Sequence, residues 1–599
     1  MISRQKPFSN GTAGQPHGLA SGVFVGNLLC LAVLAITSVA VYYNSLSNGF
    51  VFDDYVVIVE NKHLNDFRNS LPSFFNDSYF KIAGDEASYR PLATLSYFLI
   101  HSFAGLNPFY FHLASVFLHT LNVILVYFLI SLLLEDRFKA LLAALLFACH
   151  PVLTEAVDCI AFNEDLLAAF FILLAFILYV KAVDKRPVGP AHLLSLFFFF
   201  CGLLSKEMAI SLPALILLYD LTFKEVAGQG LSVKHILTTL KIRWSFYTGY
   251  ALVAILYLLL RFIIIVNPAG GNMHHFGSLL KRLVYLPYHI FSFVKLAIAP
   301  YNLNVDYVYS YPHGFFEFSN LIGLVIILGL VVLSFLAYRR AKEIFFGIWW
   351  FLIALFPVYN IIEIFNPLAE RYLYIPIFGF CLILPNILYR IFNKMLNRTL
   401  FVRTATLLVV IAAASAYATI TIGRNKDWKD DFSLWSKTVL QSPGSGIAHG
   451  GLGRAYHERG QLNEAIVEFQ KAVRLLPNHF KAYYILGVVY DQKGDYRNAI
   501  DNYKKSIAIN PEFADAHYNL AILYHKQGLM ADAIRQYKKV IELMPEDYEA
   551  HNDLGVAYAV EGKLQQAVSE WQKVLQIDPA NKSARDNISK AKVQLEKSN

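Results

Sequence analysis

Two adjacent carboxylates, Asp53 and Asp54, lie in the stretch Asn48-Gly49-Phe50-Val51-Phe52-Asp53-Asp54-Tyr55. Four more polar segments stand between or beside apolar runs: Ser88-Tyr89-Arg90-Pro91, His150 to Asp158 continuing to Asn163-Glu164-Asp165, Ser205-Lys206-Glu207, and Glu370-Arg371-Tyr372. A carboxylate can take the proton of a hydroxyl or hold a metal ion. A lysine or arginine at a bilayer edge can neutralise a lipid phosphate. Charges of both signs beside long apolar runs are costly and usually serve function. Each segment alone also has a plainer reading. The Asp-Asp pair could be solvated surface, and Lys206–Glu207 an ion pair at a helical turn. Arg371 could snorkel to headgroups, and His150 before Pro151 could cap a helix end. The functional reading gains when all of these segments fall at one membrane face.

Composition supplies the membrane. The chain of 599 residues is 56% hydrophobic and only 16% charged, with a mean hydropathy of +0.43. Soluble domains carry about 25% charged residues, so a purely soluble protein is excluded. Residues 22–422 read as a polytopic membrane domain. Its expected spans are 22–44, 108–134, 139–158, 164–182, 190–205, 207–222, 244–266, 319–338, 344–360, 371–392 and 403–422, eleven in all. Each is close to the roughly 20 residues that a crossing requires. Residues 1–21, with Arg4 and Lys6, read as a cytoplasmic tail before a retained signal anchor. The clusters Glu135–Lys139, Lys181–Arg186, Lys224–Arg243, Arg339–Lys342 and Arg390–Arg403 then all face the cytoplasm. That placement is the positive-inside pattern, and it puts the Asp53 loop and the C-terminal domain on the other side. Residues 279–300 and 90–104 are expected to lie in the interface or re-enter it, because a crossing at 279–300 would invert the Arg339–Lys342 cluster. The net charge of +8 is spread in these short clusters, with no basic stripe for nucleic acid. The five cysteines (Cys30, Cys149, Cys159, Cys201, Cys381) sit in or beside apolar runs and suggest neither a disulfide scaffold nor a metal site.

Beyond residue 423 the chain is polar and periodic. Gly460, Gly494, Gly528 and Gly562 recur every 34 residues, as do Pro443, Pro477, Pro511, Pro545 and Pro579. Ala465, Ala499, Ala533 and Ala567 keep the step, with the aromatics Phe469, Tyr503, Tyr537 and Trp571. This is the period and pattern of the tetratricopeptide repeat. The glycine turns one helix into its partner, the alanine lets the pair approach, the aromatic fills the gap, and the proline ends the unit. The reading is a linker and leading helix at 423–443, four repeats at 444–581 and a capping helix at 582–599. The expected fold class is therefore all-α: a multi-span helical membrane domain followed by an α-solenoid. Such a solenoid commonly binds an extended peptide or partner; a spacer or oligomerisation role is the plainer alternative.

The segments FVFDDYVVIVENKHL, SYRPLATLSYFL, HPVLTEAVDCI, LLSKEMAI and ERYLYIP, followed by these repeats, resemble the transmembrane and tetratricopeptide repeat-containing (TMTC) family. These are protein O-mannosyltransferase-like glycosyltransferases of the GT-C superfamily. The resemblance covers residues 22 to about 580. It implies transfer of a sugar, mannose or another hexose, from a polyprenyl-phosphate donor to Ser or Thr hydroxyls of proteins on the non-cytoplasmic side. It also implies that the first-loop carboxylates Asp53 and Asp54 are catalytic and that Lys206 and Arg371 bind the donor phosphate. Tyr89, Arg90, His150, Glu155, Asp158, Glu207 and Glu370 are candidates for the sugar pocket. A divalent metal on Asp53 and Asp54 is compatible with this chemistry but not required by it, and no other cofactor is expected. The expected partners are the lipid-linked donor, the bilayer and an acceptor protein on the repeats, without nucleic acid. The expected setting is a bacterial inner membrane with periplasmic repeats, or an endoplasmic reticulum membrane with lumenal ones. The rival reading is a non-enzymatic membrane-anchored repeat scaffold for secretion or envelope assembly, which leaves the clustered charges unexplained.

Overall fold

A computed structural model describes residues 17–75, 89–184, 189–224, 232–264, 279–308, 316–361, 364, 366–396 and 398–598. Arg4, Lys6, Ser88, Lys185, Arg186 and most of the proposed cytoplasmic tail lie outside the described residues. The chain divides into two compact units, one within residues 1–305 and 309–430 and one of 306–308 with 431–599. Among the described residues both are built of helices, with no strand.

The first unit carries α1 (His17–Tyr42), α2 (Pro91–Ala104), α3 (Pro108–Leu134), α4 (Arg137–Cys149), α5 (Thr154–Asp158), α6 (Asn163–Ala182), α7 (Pro190–Ser205) and α8 (Leu212–Phe223). Then follow α9 (Val233–Ile242), α10 (Trp244–Ile264), α11 (Leu279–Ile298), α12 (Phe318–Arg340), α13 (Lys342–Leu355), α14 (Ile377–Leu396) and α15 (Thr399–Asn425). Seven stretches of the described chain are long and apolar enough to cross a bilayer: Asn27–Ser47, Pro108–Leu134, Ile160–Ala182, Trp244–Ile263, Phe318–Arg340, Ile377–Leu396 and Thr399–Asn425. This is a multi-pass membrane protein. α4 and Pro151–Asp158 make an eighth crossing if taken together, bent by 53°.

The helix lengths depart from the expected eleven crossings. The runs at 190–205, 207–222 and 344–360 contain helices of 16, 12 and 14 residues. At 1.5 Å per residue, 12 residues cover about 18 Å, short of an apolar core of about 30 Å. The cause is local. Lys206 adopts extended backbone between α7 and a 3-10 turn at Glu207–Ser211, and a Pro357-containing 3-10 turn follows α13. Irregular backbone survives at such depth only where protein or a polar cavity surrounds it. α11 is long enough but carries Lys281, Arg282 and Lys295 and is not among the seven.

α6 packs along α3 and α7 and is buried over most of its length. Close approach elsewhere depends on glycine. A Cβ on Gly379 of α14 would lie 2.2 Å from the Gly347 carbonyl oxygen of α13, so only glycine permits this crossing.

The second unit is the solenoid. A leading helix, α16 (Asp431–Gln441), precedes four helix pairs: α17 (Gly446–Glu458) with α18 (Leu462–Leu475), α19 (Phe480–Gln492) with α20 (Tyr496–Ile509), α21 (Ala514–Lys526) with α22 (Met530–Leu543), and α23 (Tyr548–Val560) with α24 (Leu564–Ile577). α25 (Lys582–Ser598) closes the array. Gly460, Gly494, Gly528 and Gly562 all take positive φ, between 72° and 81°, at the turn inside each pair. The repeated alanines and aromatics are buried in one continuous core.

Candidate active site

The Asp53–Asp54 loop is held from both sides before its chemistry is considered. Asn48 donates from Nδ2 to the Asn425 carbonyl at 3.0 Å, and the Gly49 N–H to the Lys429 carbonyl at 2.9 Å. His112 Nε2 meets the Gly49 carbonyl at 3.2 Å. Phe52 then takes the left-handed conformation at φ 55°. For an aromatic residue this costs on the order of 1–3 kcal/mol and persists only where the surroundings impose it. Here it sets two neighbouring carboxylates in different environments.

Asp54 is fully buried. Its Oδ2 accepts from the Val51 N–H at 3.1 Å and its Oδ1 from the Ala161 N–H at 2.7 Å. Burial nevertheless pushes this carboxyl up to about 7, against those two bonds, which pull it down. Asp54 thus pins the first loop to the segment before α6. Asp53 is only half-buried and acts electrostatically on the guanidinium of Arg371.

Arg371 sits in a 3-10 turn, Glu370–Leu373, before α14. Glu155 is its fixed counter-ion: one carboxylate oxygen accepts the Arg371 N–H at 2.9 Å and the other pairs with the guanidinium. The guanidinium lies 4.0 Å from the Phe162 ring centroid and 5.2 Å from that of Tyr372. Lys206 Nζ approaches the same Tyr372 ring at 5.7 Å. Lys206 and Arg371, 165 positions apart, therefore flank one aromatic side chain.

Lys206 is buried and pairs with Asp165 at 2.5 Å and Glu164 at 3.2 Å. Both carboxylates stand in the first turn of α6, where the helix dipole favours negative charge. Arg90 pairs with Glu164 and, at 3.1 Å, with Glu207. Arg261 extends the chain, 3.8 Å from Glu207 and donating to the Tyr257 hydroxyl at 3.0 Å. A network of alternating sign thus runs from Arg261 through Glu207, Arg90, Glu164 and Lys206 to Asp165, with Arg371–Glu155 and Asp53 beside it. Buried ion pairs contribute little net stability, because desolvation offsets their attraction.

Other sequence candidates go elsewhere. Tyr89 adjoins the network, but its hydroxyl donates to the Phe74 carbonyl at 3.2 Å. Glu370 faces away from Arg371: it accepts from the Asn304 N–H and lies 3.8 Å from Arg424. Asp158 is buried in the field of the same Arg424 and of Asp427. Those two carboxylates therefore form a second group around Arg424. His150 uses both ring nitrogens on backbone, Nε2 at 3.0 Å from the Ala297 carbonyl and Nδ1 accepting from the Val152 N–H at 3.4 Å. It ties the loop after α4 to α11.

Sequence reasoning assigned no role to Glu164, Asp165 or Arg261. Arg261 had a readable signal, a lone cation inside the apolar run 244–266. Among the described residues no group of three or more His, Cys, Asp or Glu side chains is arranged to hold a metal ion.

Comparison with known proteins adds lineage. Residues 91–242, which contain Lys206, Glu207 and the first turn of α6, match the family model described as dolichyl-phosphate-mannose-protein mannosyltransferase. Residues 453–494, 490–528, 514–547 and 548–581 match tetratricopeptide repeat models. The chain is 29% identical over 515 residues to the protein O-mannosyl-transferase TMTC1 of Homo sapiens, covering 75% of this chain and 55% of that one. It is 25% identical to the protein O-mannosyl-transferase TMTC3 of Mus musculus (74% and 51% covered) and 26% identical to TMTC2 of Homo sapiens (74% and 62%). The chain thus spans somewhat over half the length of these curated relatives. Among solved structures, the MamA protein matches over 24% of this chain and 80% of its own, at 32% identity and a TM-score of 0.24. The TMTC resemblance read from the sequence motifs is supported by these relatives.

Proposed function

We propose that this relative of the TMTC protein O-mannosyl-transferases is an inverting glycosyltransferase. It transfers mannose or another hexose from a polyprenyl-phosphate donor to Ser or Thr hydroxyls of proteins on the non-cytoplasmic side. The observation that carries this reading is the meeting of Lys206 and Arg371 at the Tyr372 ring.

The acceptor oxygen attacks the anomeric carbon from the face opposite the phosphate. Asp53 takes the hydroxyl proton, a role that contributes about 10²–10⁴-fold. The bond from the anomeric carbon to the phosphate oxygen breaks, and the pair of electrons leaves on the lipid phosphate. That leaving group needs charge stabilisation rather than a proton. Lys206 and Arg371 supply it, already oriented by Asp165, Glu164 and Glu155. Arg261 keeps donor capacity, because among the described residues its nearest carboxylate oxygen is 3.8 Å away, and we assign it to the same phosphate. Asp54 positions the loop. Since both Asp54 oxygens accept backbone N–H groups, a cation bound at this pair would rest on Asp53. The repeats select the acceptor.

The test uses protein in nanodiscs, a polyprenyl-phosphate mannose and a hydroxyl-bearing protein acceptor. Lys206→Gln and Arg371→Gln should each raise the donor KM. Removal of residues 444–599 should weaken transfer to protein far more than donor hydrolysis by water. Intact protein that neither hydrolyses nor transfers from any polyprenyl-phosphate sugar would favour the scaffold reading instead.

A further inference from the structure

At the end of α6 remote from Asp165, a second polar assembly takes no part in the chemistry above. Tyr179 stands in the last turns of α6, 14 residues beyond Asp165, which is about 21 Å along the helix. Its hydroxyl donates to Asp220 Oδ2 at 2.5 Å, and the Tyr247 hydroxyl donates to the same oxygen at 2.6 Å. Asp220, on α8, is fully buried. Its other oxygen lies 3.4 Å from Arg243 Nη1.

The cover over this assembly is α9, and α9 is inside out by the standards of a soluble helix. Val233 is 73% exposed, Leu237 61%, and Trp244 just beyond the helix 65%. His235 and Thr239 are buried, at 0% and 2%. His235, Thr239 and Arg243 are spaced by four, so they line one face. α9 packs against α8 and α10, which carry Asp220 and Tyr247. In a membrane protein the outward apolar face meets lipid, and the inward stripe is polar.

That inward stripe has capacity left over. Both ring nitrogens of His235, Thr239 Oγ1, Asp220 Oδ1 and Arg243 Nη1 are buried and make no hydrogen bond among the described residues. A buried donor or acceptor left in this state is costly. Arg243 Nη1 and Asp220 Oδ1, the latter on α8, have only their ion pair at 3.4 Å. The three atoms of His235 and Thr239 on the α9 face make no hydrogen bond among the described residues, and this cluster calls for an occupant. The stripe reaches the surface at Arg243, whose side chain is 17% exposed. Lys241 and Lys234 are exposed beside it.

We propose that α9 covers a second lipid-phosphate site, occupied by a membrane phospholipid. The Arg243 guanidinium, the Thr239 hydroxyl and the His235 imidazole hold the phosphodiester. Asp220 Oδ1 accepts from the ammonium or hydroxyl of the headgroup. The acyl chains lie along Leu237, Leu240, Ile242 and Trp244, which already face outward. A guanidinium fork matches phosphate geometry, and the flanking lysines favour an anionic surface.

The test is lipid retention by the full chain. Protein reconstituted with phosphatidylethanolamine and phosphatidylglycerol is washed in detergent and weighed by native mass spectrometry. One phospholipid should stay with each chain. Arg243→Gln should lower retention about tenfold, the scale of one charged hydrogen bond. The double variant His235→Leu/Thr239→Val removes no ion-pair partner and carries the test if Arg243→Gln fails to fold. It should also lose lipid, while its lipid-free thermal stability holds or rises because orphaned polar groups are gone. Millimolar inorganic phosphate should leave retention unchanged. Unaltered retention in the folded variants, or displacement of the lipid by free phosphate, would overturn the proposal.

Discussion

The bond between Glu155 and Arg371 carries the strongest quantitative consequence. Glu155→Gln keeps an acceptor for the Arg371 N–H, now 2.9 Å from the carboxylate, but removes the counter-ion of a guanidinium that is 14% exposed. Breaking a buried pair by removing one partner costs about 3–5 kcal/mol, because the survivor is left uncompensated. Asp165 and Asp53 also act on Arg371, so the loss should fall near the low end, about 3 kcal/mol. Arg371→Gln should cost a similar amount by stranding Glu155, which is fully buried. The double variant removes both charges. It should be less destabilised than the sum of the singles by about 0.5–3 kcal/mol, as for residues in direct contact. The assay is thermal inactivation in nanodiscs at one fixed scan rate, because membrane proteins often unfold irreversibly. Strict additivity of the two substitutions would refute the pairing and, with it, the account of how Arg371 is oriented.

Asp54 gives a pH dependence. Its folded value, about 7, lies above the ordinary 3.8, so its contribution to stability is complete below about pH 4 and is lost as pH rises through about 7. Asp54→Asn should therefore flatten the fall in thermal stability between those limits, and an unchanged slope would contradict the assignment. Gly379→Leu should separate α13 from α14, because a Cβ would meet the Gly347 carbonyl at 2.2 Å. A cost of at least about 1–3 kcal/mol is expected for such overpacking, read as lower thermal stability in nanodiscs. In the solenoid, Gly555→Ala would drive a Cβ to 2.5 Å from the Trp571 indole nitrogen. It should lower the melting temperature of the repeats on the same scale; an unchanged melting temperature would show that Trp571 moves freely.

The solenoid was almost wholly legible in the sequence, because every structural role recurs at a fixed step. Glycine turns, alanine contacts and aromatic fillers announce themselves by repetition. Most of the membrane helices were legible as crossings, seven of the eleven expected runs or eight with the bent pair. The runs at 190–205, 207–222 and 344–360 hold helices of 16, 12 and 14 residues, shorter than a crossing requires. The break at Lys206 was legible from its charge, but apolar composition does not mark where the Pro357 turn shortens a helix. The candidate site was legible in its ingredients and not in its pairing. Asp53 and Asp54 are indistinguishable as letters, yet one has both oxygens on backbone N–H groups and the other acts on Arg371. Glu370 and Arg371 are neighbours that face different clusters, since a 3-10 turn sends adjacent side chains in different directions. His150 resembled a site residue and serves as a tie to α11. Arg261 lies inside an apolar run, where α10 rather than a polar loop places its charge.

In the proposed mechanism Asp53 is the base and the cations around Tyr372 bind the donor phosphate. Single-turnover transfer by Asp53→Asn, in nanodiscs loaded with polyprenyl-phosphate mannose and a protein acceptor, tests it most directly when donor affinity is measured on the same sample. The expected rate is lower by about 10²–10⁴-fold with donor affinity unchanged. Transfer at the wild-type rate by folded Asp53→Asn protein would contradict it.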